Sequence, residues 1–279
     1  MKLELTPYER GFSYAYSLPG EDFSILWYST PSETGRLVLC NEEGQYSGDV
    51  SLPLSGVIVC IDPGHQEFGK AVRTPAGPGL TGYIKGTSGM AQGVVTLRKE
   101  FIVTMEAAVK LRDELLRQGA TVFLTREEPY TFLSNLDRSL IAEEGGAHIM
   151  LRLHCDLREN RKTQGISVYV PRNSDYARAV ADPDTYRHMG ELLINAMKNR
   201  LGYELTEATG RVRINDQFVG NNWAKMICFL VEMGFMSNPE EDIKLATPEY
   251  QQWLAEGMAQ GVYEIALFRG LVQPENSEQ

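Results

Sequence analysis

The chain has 279 residues, 43% of them hydrophobic, enough to bury one large core with a small addition, so an intrinsically unfolded protein is excluded. A formal net charge of −10 and a pI near 5.0, with basic residues scattered among acidic ones, exclude nucleic acid as a partner. No apolar run approaches the ~20 residues of a membrane span, and the first twenty residues lack a basic start leading into an apolar stretch. Either the chain is not exported by that route or it begins after its export signal.

In chain order, Phe23 to Tyr28 and Arg36 to Cys40 read as two strands joined by the turn-rich Pro31, Ser32, Glu33, Thr34 and Gly35. A hairpin this small is not stable alone, so residues 1–55 are expected to form a β-rich appendage to a main domain spanning 56–272, with a polar tail at 273–279. The main domain opens with Val57 to Ile61, five apolar residues that predict a strand buried on both faces. In the continuation D-P-G-H-Q, Pro63 denies the next ladder hydrogen bond and Gly64 allows a sharp, left-handed turn. His65 is thereby delivered to the carboxyl edge of the sheet, where ligands of open α/β sheets bind.

Residues 67–97 follow, with seven glycines between Gly69 and Gly93, and read as a long loop without structure of its own that walls a substrate cleft. From Lys99 to Gly119 the stripe Phe101, Met105, Ala108, Leu111 and Leu115 predicts a helix with Glu100 in its first turn and Gly119 closing it. Ala120 to Arg126 predicts a strand, and Ser134 to Glu144 a helix on which Ser134 caps and Asp137 completes an imperfect capping box. Arg138 on that helix is placed to hold a buried carboxylate near the site. Ala147 to Asp156 predicts a strand with Met150, Arg152 and His154 on one face and Ile149, Leu151 and Leu153 on the other. His148 opens that strand about 20 Å from His154 and is read as structural. Ile166 to Val170 is a short strand, and the helix after it, with Met189, Leu193, Ala196 and Met197 on its core face, leaves His188 at the surface. Ile227 to Val231 predicts a buried strand that ends in Glu232, and a last helix runs through Tyr250, Leu254, Met258, Gly261 and Ile265.

Four cysteines, Cys40, Cys60, Cys155 and Cys228, form no C-x-x-C pair, and are expected as free core thiols. Free thiols argue against a strongly oxidising compartment.

His65, Glu100 and His154 make a two-histidine, one-carboxylate set of the kind zinc enzymes use when a fourth position stays open for water. Glu232, at the end of an apolar strand, fits a proton carrier whose pKa desolvation raises toward neutrality. The segments D-P-G-H-Q at 62–66, K-E at 99–100, L-T-R at 124–126, S-N-L-D-R at 134–138, R-L-H-C-D at 152–156 and V-E-M-G-F-M-S-N at 231–238 occur in the order and rough spacing of one family across residues 56–268. The chain resembles the zinc-dependent N-acetylmuramoyl-L-alanine amidases of bacterial cell walls. The resemblance implies an α/β fold with a mostly parallel twisted sheet flanked by helices, and Zn2+ as cofactor on His65, Glu100 and His154. It implies Glu232 as the catalytic group. Beside these, Gln66, Arg138 and Asn222 are read as substrate-binding candidates, although Asn222 stands where the family is typically less polar. The implied substrate is peptidoglycan or a muropeptide, met outside the cytoplasm at the wall, with a wall-binding or regulatory partner and an oligomeric state the sequence leaves open. Two rival readings stand beside it: another zinc peptidase or deacylase on the same fold, and a catalytically silent peptidoglycan-binding or regulatory protein.

Overall fold

The structure, a computed structural model, describes residues 52–67, 73–85, 90–204 and 210–274, and, before these, the backbone of five strands. These are β1 (Glu4–Tyr8), β2 (Gly11–Ser17), β3 (Phe23–Thr30), β4 (Glu33–Asn41) and β5 (Tyr46–Asp49), an antiparallel sheet in sequence order. The two strands expected from the sequence are β3 and β4. The other three carry Pro7, Gly11 or Gly48 and no long apolar run, so their sequences do not announce strands. Cys40 and the tail from residue 275 lie outside the residues whose side chains are described.

After β6 (Ile58–Pro63) the supposed structureless loop carries a small hairpin, β7 (Arg73–Pro75) and β8 (Tyr83–Lys85). Its end is also pinned, since Asp242 accepts hydrogen bonds from the Val95 and Thr96 amides and the Thr96 hydroxyl. Glycine-rich composition hid this order, because the anchors come from distant parts of the chain. Then follow α1 (Glu100–Arg117), β9 (Thr121–Leu124), α2 (Asn135–Glu144), β10 (Ile149–Asp156), β11 (Ile166–Val170), α3 (Asp175–Val180) and α4 (Pro183–Leu201). The chain closes with β12 (Gly210–Ile214), α5 (Val219–Trp223), β13 (Ile227–Phe235), α6 (Pro239–Leu245) and α7 (Pro248–Phe268). The capping box at α2 is complete: the Ser134 hydroxyl accepts from the Asp137 amide and the Asp137 carboxylate accepts from the Ser134 amide.

The main sheet has the order β12-β11-β13-β10-β6-β9. β9, β6, β10 and β13 are mutually parallel, and β11 joins β13 antiparallel before pairing with β12 in parallel. The carboxyl ends of β6, β10 and β13 therefore meet at one edge. Side chains alternate across these strands. Val59, Ile61, Ile149, Leu151, Leu153, Phe229 and Val231 enter the large core under α1, α4 and α7. On the opposite face Cys60, Met150 and Cys228 pack with Ala142 and Ala224, and farther along that face Asp62, Arg152, His154 and Glu232 run toward the site edge. The expected period-two split of the His154 strand is the one observed. β13 does not stop at Glu232 but continues to Phe235, with a register shift against β10 after His154. Ladder pairing carries a strand through polar residues that an apolar-run criterion treats as an end.

Candidate metal centre

The turn after β6 is built by close approach. Gly64 donates its amide to the Leu153 carbonyl at 2.8 Å, and a Cβ at this position would collide with that carbonyl and stand 2.6 Å from Cε1 of His154. The residue with left-handed backbone is His65 itself, at φ 57°, rather than Gly64 as the sequence suggested. The turn is strapped from below. Arg126 donates to the carbonyls of Pro63, Gly64 and Phe101, Thr104 donates to Gly64, and Arg138 donates to the carbonyls of Pro63 and His65. A non-glycine residue in a sparsely populated conformation persists only where its surroundings over-determine it, as they do here. Gly64→Ala is expected to cost about 1–3 kcal/mol in stability and to weaken metal binding, checked by denaturant titration beside metal analysis.

Asp62 anchors this strapping. Its fully buried carboxylate accepts from Arg138 at 2.5 Å, Arg152 at 2.9 Å and the Thr125 hydroxyl at 2.6 Å. Burial opposes its ionisation, but Arg138 and Arg152 outweigh that and hold the carboxyl far below the usual range. Arg138 thus does hold a buried carboxylate near the site. Sequence reading left Asp62, Thr104, Arg126 and Arg152 without a role, although L-T-R and D-P-G-H carried the signal.

Glu100 enters from the first turn of α1. Its Oε2 accepts from the Ala91 amide at 2.7 Å and its Oε1 from the Cys155 amide at 2.9 Å, so both oxygens are fixed by backbone. His65 Nε2 stands 3.2 Å from Oε2 and His154 Nδ1 3.1 Å from Oε1, and the two imidazoles meet edge to face with centroids 4.9 Å apart. One ligand atom from each of the three residues lies within 4.8 Å of the others. Burial disfavours charge on both partners. It is the main reason the His65 imidazole is held down at about 4, whereas at Glu100 the hydrogen bond from His154 and the nearby imidazoles overcome burial and hold the carboxyl at about 2. An imidazole held neutral at His65 and a carboxylate held ionised at Glu100 are the forms in which these side chains ligate a metal.

Glu232 pairs with His154 in the β10–β13 register and presents its side chain on the same face. Burial, then Glu100 and Asp156, raise its carboxyl well above the carboxylate range. Its Oε2 and His154 Nε2 are buried polar atoms without a partner among the described residues. Buried polar atoms are nearly always satisfied, so a pair of orphans beside a His-Glu-His cluster fits an absent cation and its water. The residues present therefore fit a divalent metal.

The remaining candidates are buried and hydrogen-bonded within the fold. Gln66, 3% exposed, accepts through Oε1 from Arg138, Thr131 and the Leu133 amide. Arg138 is likewise spent beneath the turn. Asn222 is fully buried, with its amide nitrogen donating to the carbonyls of Ala76 and Asp216, and it seats the β7–β8 hairpin together with Trp223, which donates to the Pro75 carbonyl. His148 accepts from the Ile58 amide at the far end of the sheet, and exposed His188 packs on Phe268. Cys60, Cys155 and Cys228 are free and buried, and burial pushes their thiols up, Cys228 to about 12. Such thiols are inert, so their being unpaired carries no information about compartment.

A twisted, mostly parallel α/β sheet with a His-Glu-His cluster and a glutamate beside it at its carboxyl edge has the layout of a metallohydrolase. The chain belongs to the N-acetylmuramoyl-L-alanine amidase family, which matches residues 59–264. It is 29% identical over 222 residues to the germination-specific N-acetylmuramoyl-L-alanine amidase of Bacillus subtilis, covering 76% of this chain and 81% of that protein. The fold is shared with the N-acetylmuramyl-L-alanine amidase Ami1 of Mycobacterium smegmatis, with TM-score 0.64, 19% identity, and 75% of this chain and 96% of that one covered. It is also shared with the CwlD amidase of Clostridioides difficile, solved in complex with the GerS lipoprotein, with TM-score 0.58, 17% identity, and coverage of 76% and 99%.

Proposed function

We propose that this chain is a zinc-dependent amidase that hydrolyses the amide between the lactyl group of N-acetylmuramic acid and L-alanine of the peptidoglycan stem peptide. The observation that carries this reading is the juxtaposition of His65, Glu100 and His154 with Glu232, whose Oε2 is buried and without a partner among the described residues. Zinc on those three residues would supply Lewis acidity toward a carbonyl oxygen and lower the pKa of a water to about 7. Glu232, held rigidly by β13 and partly desolvated, takes the proton of the attacking water and returns it to the departing nitrogen of L-alanine. Asp62, Arg126, Arg138 and Thr104 hold the turn that aims His65, and the Ala91 and Cys155 amides hold Glu100. These are positioning roles.

The presence of all four site residues speaks against a silent binding protein, and family membership against an unrelated peptidase or deacylase. Action outside the cytoplasm at the wall belongs to the same reading, supported by the relatives' names. So does a regulatory partner, supported by the C. difficile amidase having been solved with a lipoprotein. Dialysis against a chelator should abolish release of stem peptide from a soluble muropeptide, and one equivalent of zinc should restore it. Full activity in the metal-free protein would overturn the proposal.

The β7–β8 hairpin rests on Asn222 and Trp223, whereas residues 90–99 rest on Asp242 and hold Glu100 through the Ala91 amide, so the hairpin is the part of this segment that shapes access. Replacing residues 73–85 by a short linker should reduce activity on polymeric wall more than on a soluble muropeptide. Equal loss on both would show that the segment supports the site itself.

A further inference from the structure

The sheet register lines up a second functional element beside the cluster. Glu232 on β13 is opposite Ser167 on β11, and Ser167 is opposite Arg211 on β12; one side-chain pair deeper, Leu230, Tyr169 and Arg213 lie in the same row. Val168 and Val212, between them, face the large core, so Arg211 and Arg213 project from the face that carries Glu232 and His154. β12 is two strand spacings from β13, roughly 10 Å.

Arg213 is unlike an arginine that merely decorates an edge strand. Its Nε is buried and has no hydrogen-bond partner among the described residues. Asp156, at the carboxyl end of β10, pairs with Arg158 at 3.0 Å. In a chain of net charge −10, a half-buried arginine whose Nε finds no partner among the described residues, with exposed Arg211 beside it, is suited to receive a carboxylate.

Resting on the proposed amidase activity, we infer that Arg213 is a specificity residue that receives the free α-carboxylate of the second residue of the stem peptide. In the uncut substrate the lactyl carboxyl is tied up in the scissile amide, so the free carboxylates lie on the peptide side of that bond. Arg213 thereby sets direction: the stem peptide crosses from Glu232 over β11 toward β12, and the glycan leaves toward β6 and β9. The planar guanidinium suits bidentate recognition, for which a lysine is a poor substitute.

Two muropeptides, identical except that the second stem residue carries either a free α-carboxylate or its carboxamide, test this on the zinc-loaded chain. The wild type should favour the carboxylate about tenfold or more in kcat/KM, mainly through KM. In Arg213→Gln the ratio should fall to about one, and Arg213→Lys should keep a reduced preference. Equal rates in the wild type, or a preference fully retained by Arg213→Gln, would overturn the inference while leaving the amidase reading intact. Failure of the wild type to cut either substrate would overturn the amidase reading and the inference with it.

Discussion

Glu232→Gln should retain one equivalent of zinc and lose about 100- to 10,000-fold or more in turnover. The substitution preserves shape on a strand whose neighbours Val231 and Met233 are fully buried, so the backbone has no reason to move. What it removes is the carboxylate oxygen that accepts and returns a proton. Glu232 is the buried carboxyl whose uncharged form burial favours most clearly at the site, and Glu100 and Asp156 reinforce this by like-charge repulsion. A carboxylate whose proton affinity is raised in this way takes a proton from water and surrenders it to an amine, and an amide side chain can do neither. Activity and metal content must be read on the same preparation. An active Glu232→Gln protein would show that the base has been misassigned, and one stripped of zinc would show that Glu232 is a ligand.

His65→Ala and His154→Ala should each lose stoichiometric zinc, and activity should fall to background. Removing either imidazole leaves two protein ligands where catalytic zinc sites use three. Glu100→Gln should be more damaging than its conservative appearance suggests. Both carboxylate oxygens accept from backbone amides, Ala91 on one side and Cys155 on the other, and a glutamine offers only one acceptor. One amide would then face an NH2 group, at about 1–3 kcal/mol, in addition to the lost negative ligand. Elemental analysis of the three variants beside the wild type checks this. Stoichiometric zinc retained in both histidine variants would refute the ligand set.

The candidate site was legible in the sequence because its residues stand at places that local chemistry marks: His65 after a strand-breaking Pro-Gly, Glu100 at a helix start, His154 and Glu232 in apolar strands. The fold was legible for the same reason, since runs such as Val57 to Ile61 and Ile227 to Val231 have no exposed face to hide. What sequence reasoning missed depends on register and distance along the chain. Asp62 and Arg126 acquire meaning only when β6, β9 and α2 converge, and Arg213 only when β11 reverses direction against β13 and carries β12 alongside. The left-handed backbone fell on His65 because Gly64 is used for close approach to Leu153, a contact between strands that no local pattern contains. The hairpin at 73–85 was obscured by flanking glycines, and its seats, Asn222 and Trp223, lie about 140 residues away.

Zinc-loaded protein incubated with purified peptidoglycan, followed by identification of every new chain end, bears most directly on the assignment of His65, Glu100, His154 and Glu232 to amide hydrolysis at the muramoyl–alanine bond. New amino termini should be L-alanine, with no new reducing sugar ends and none formed by Glu232→Gln. New termini at any other stem residue, or new reducing ends, would contradict it.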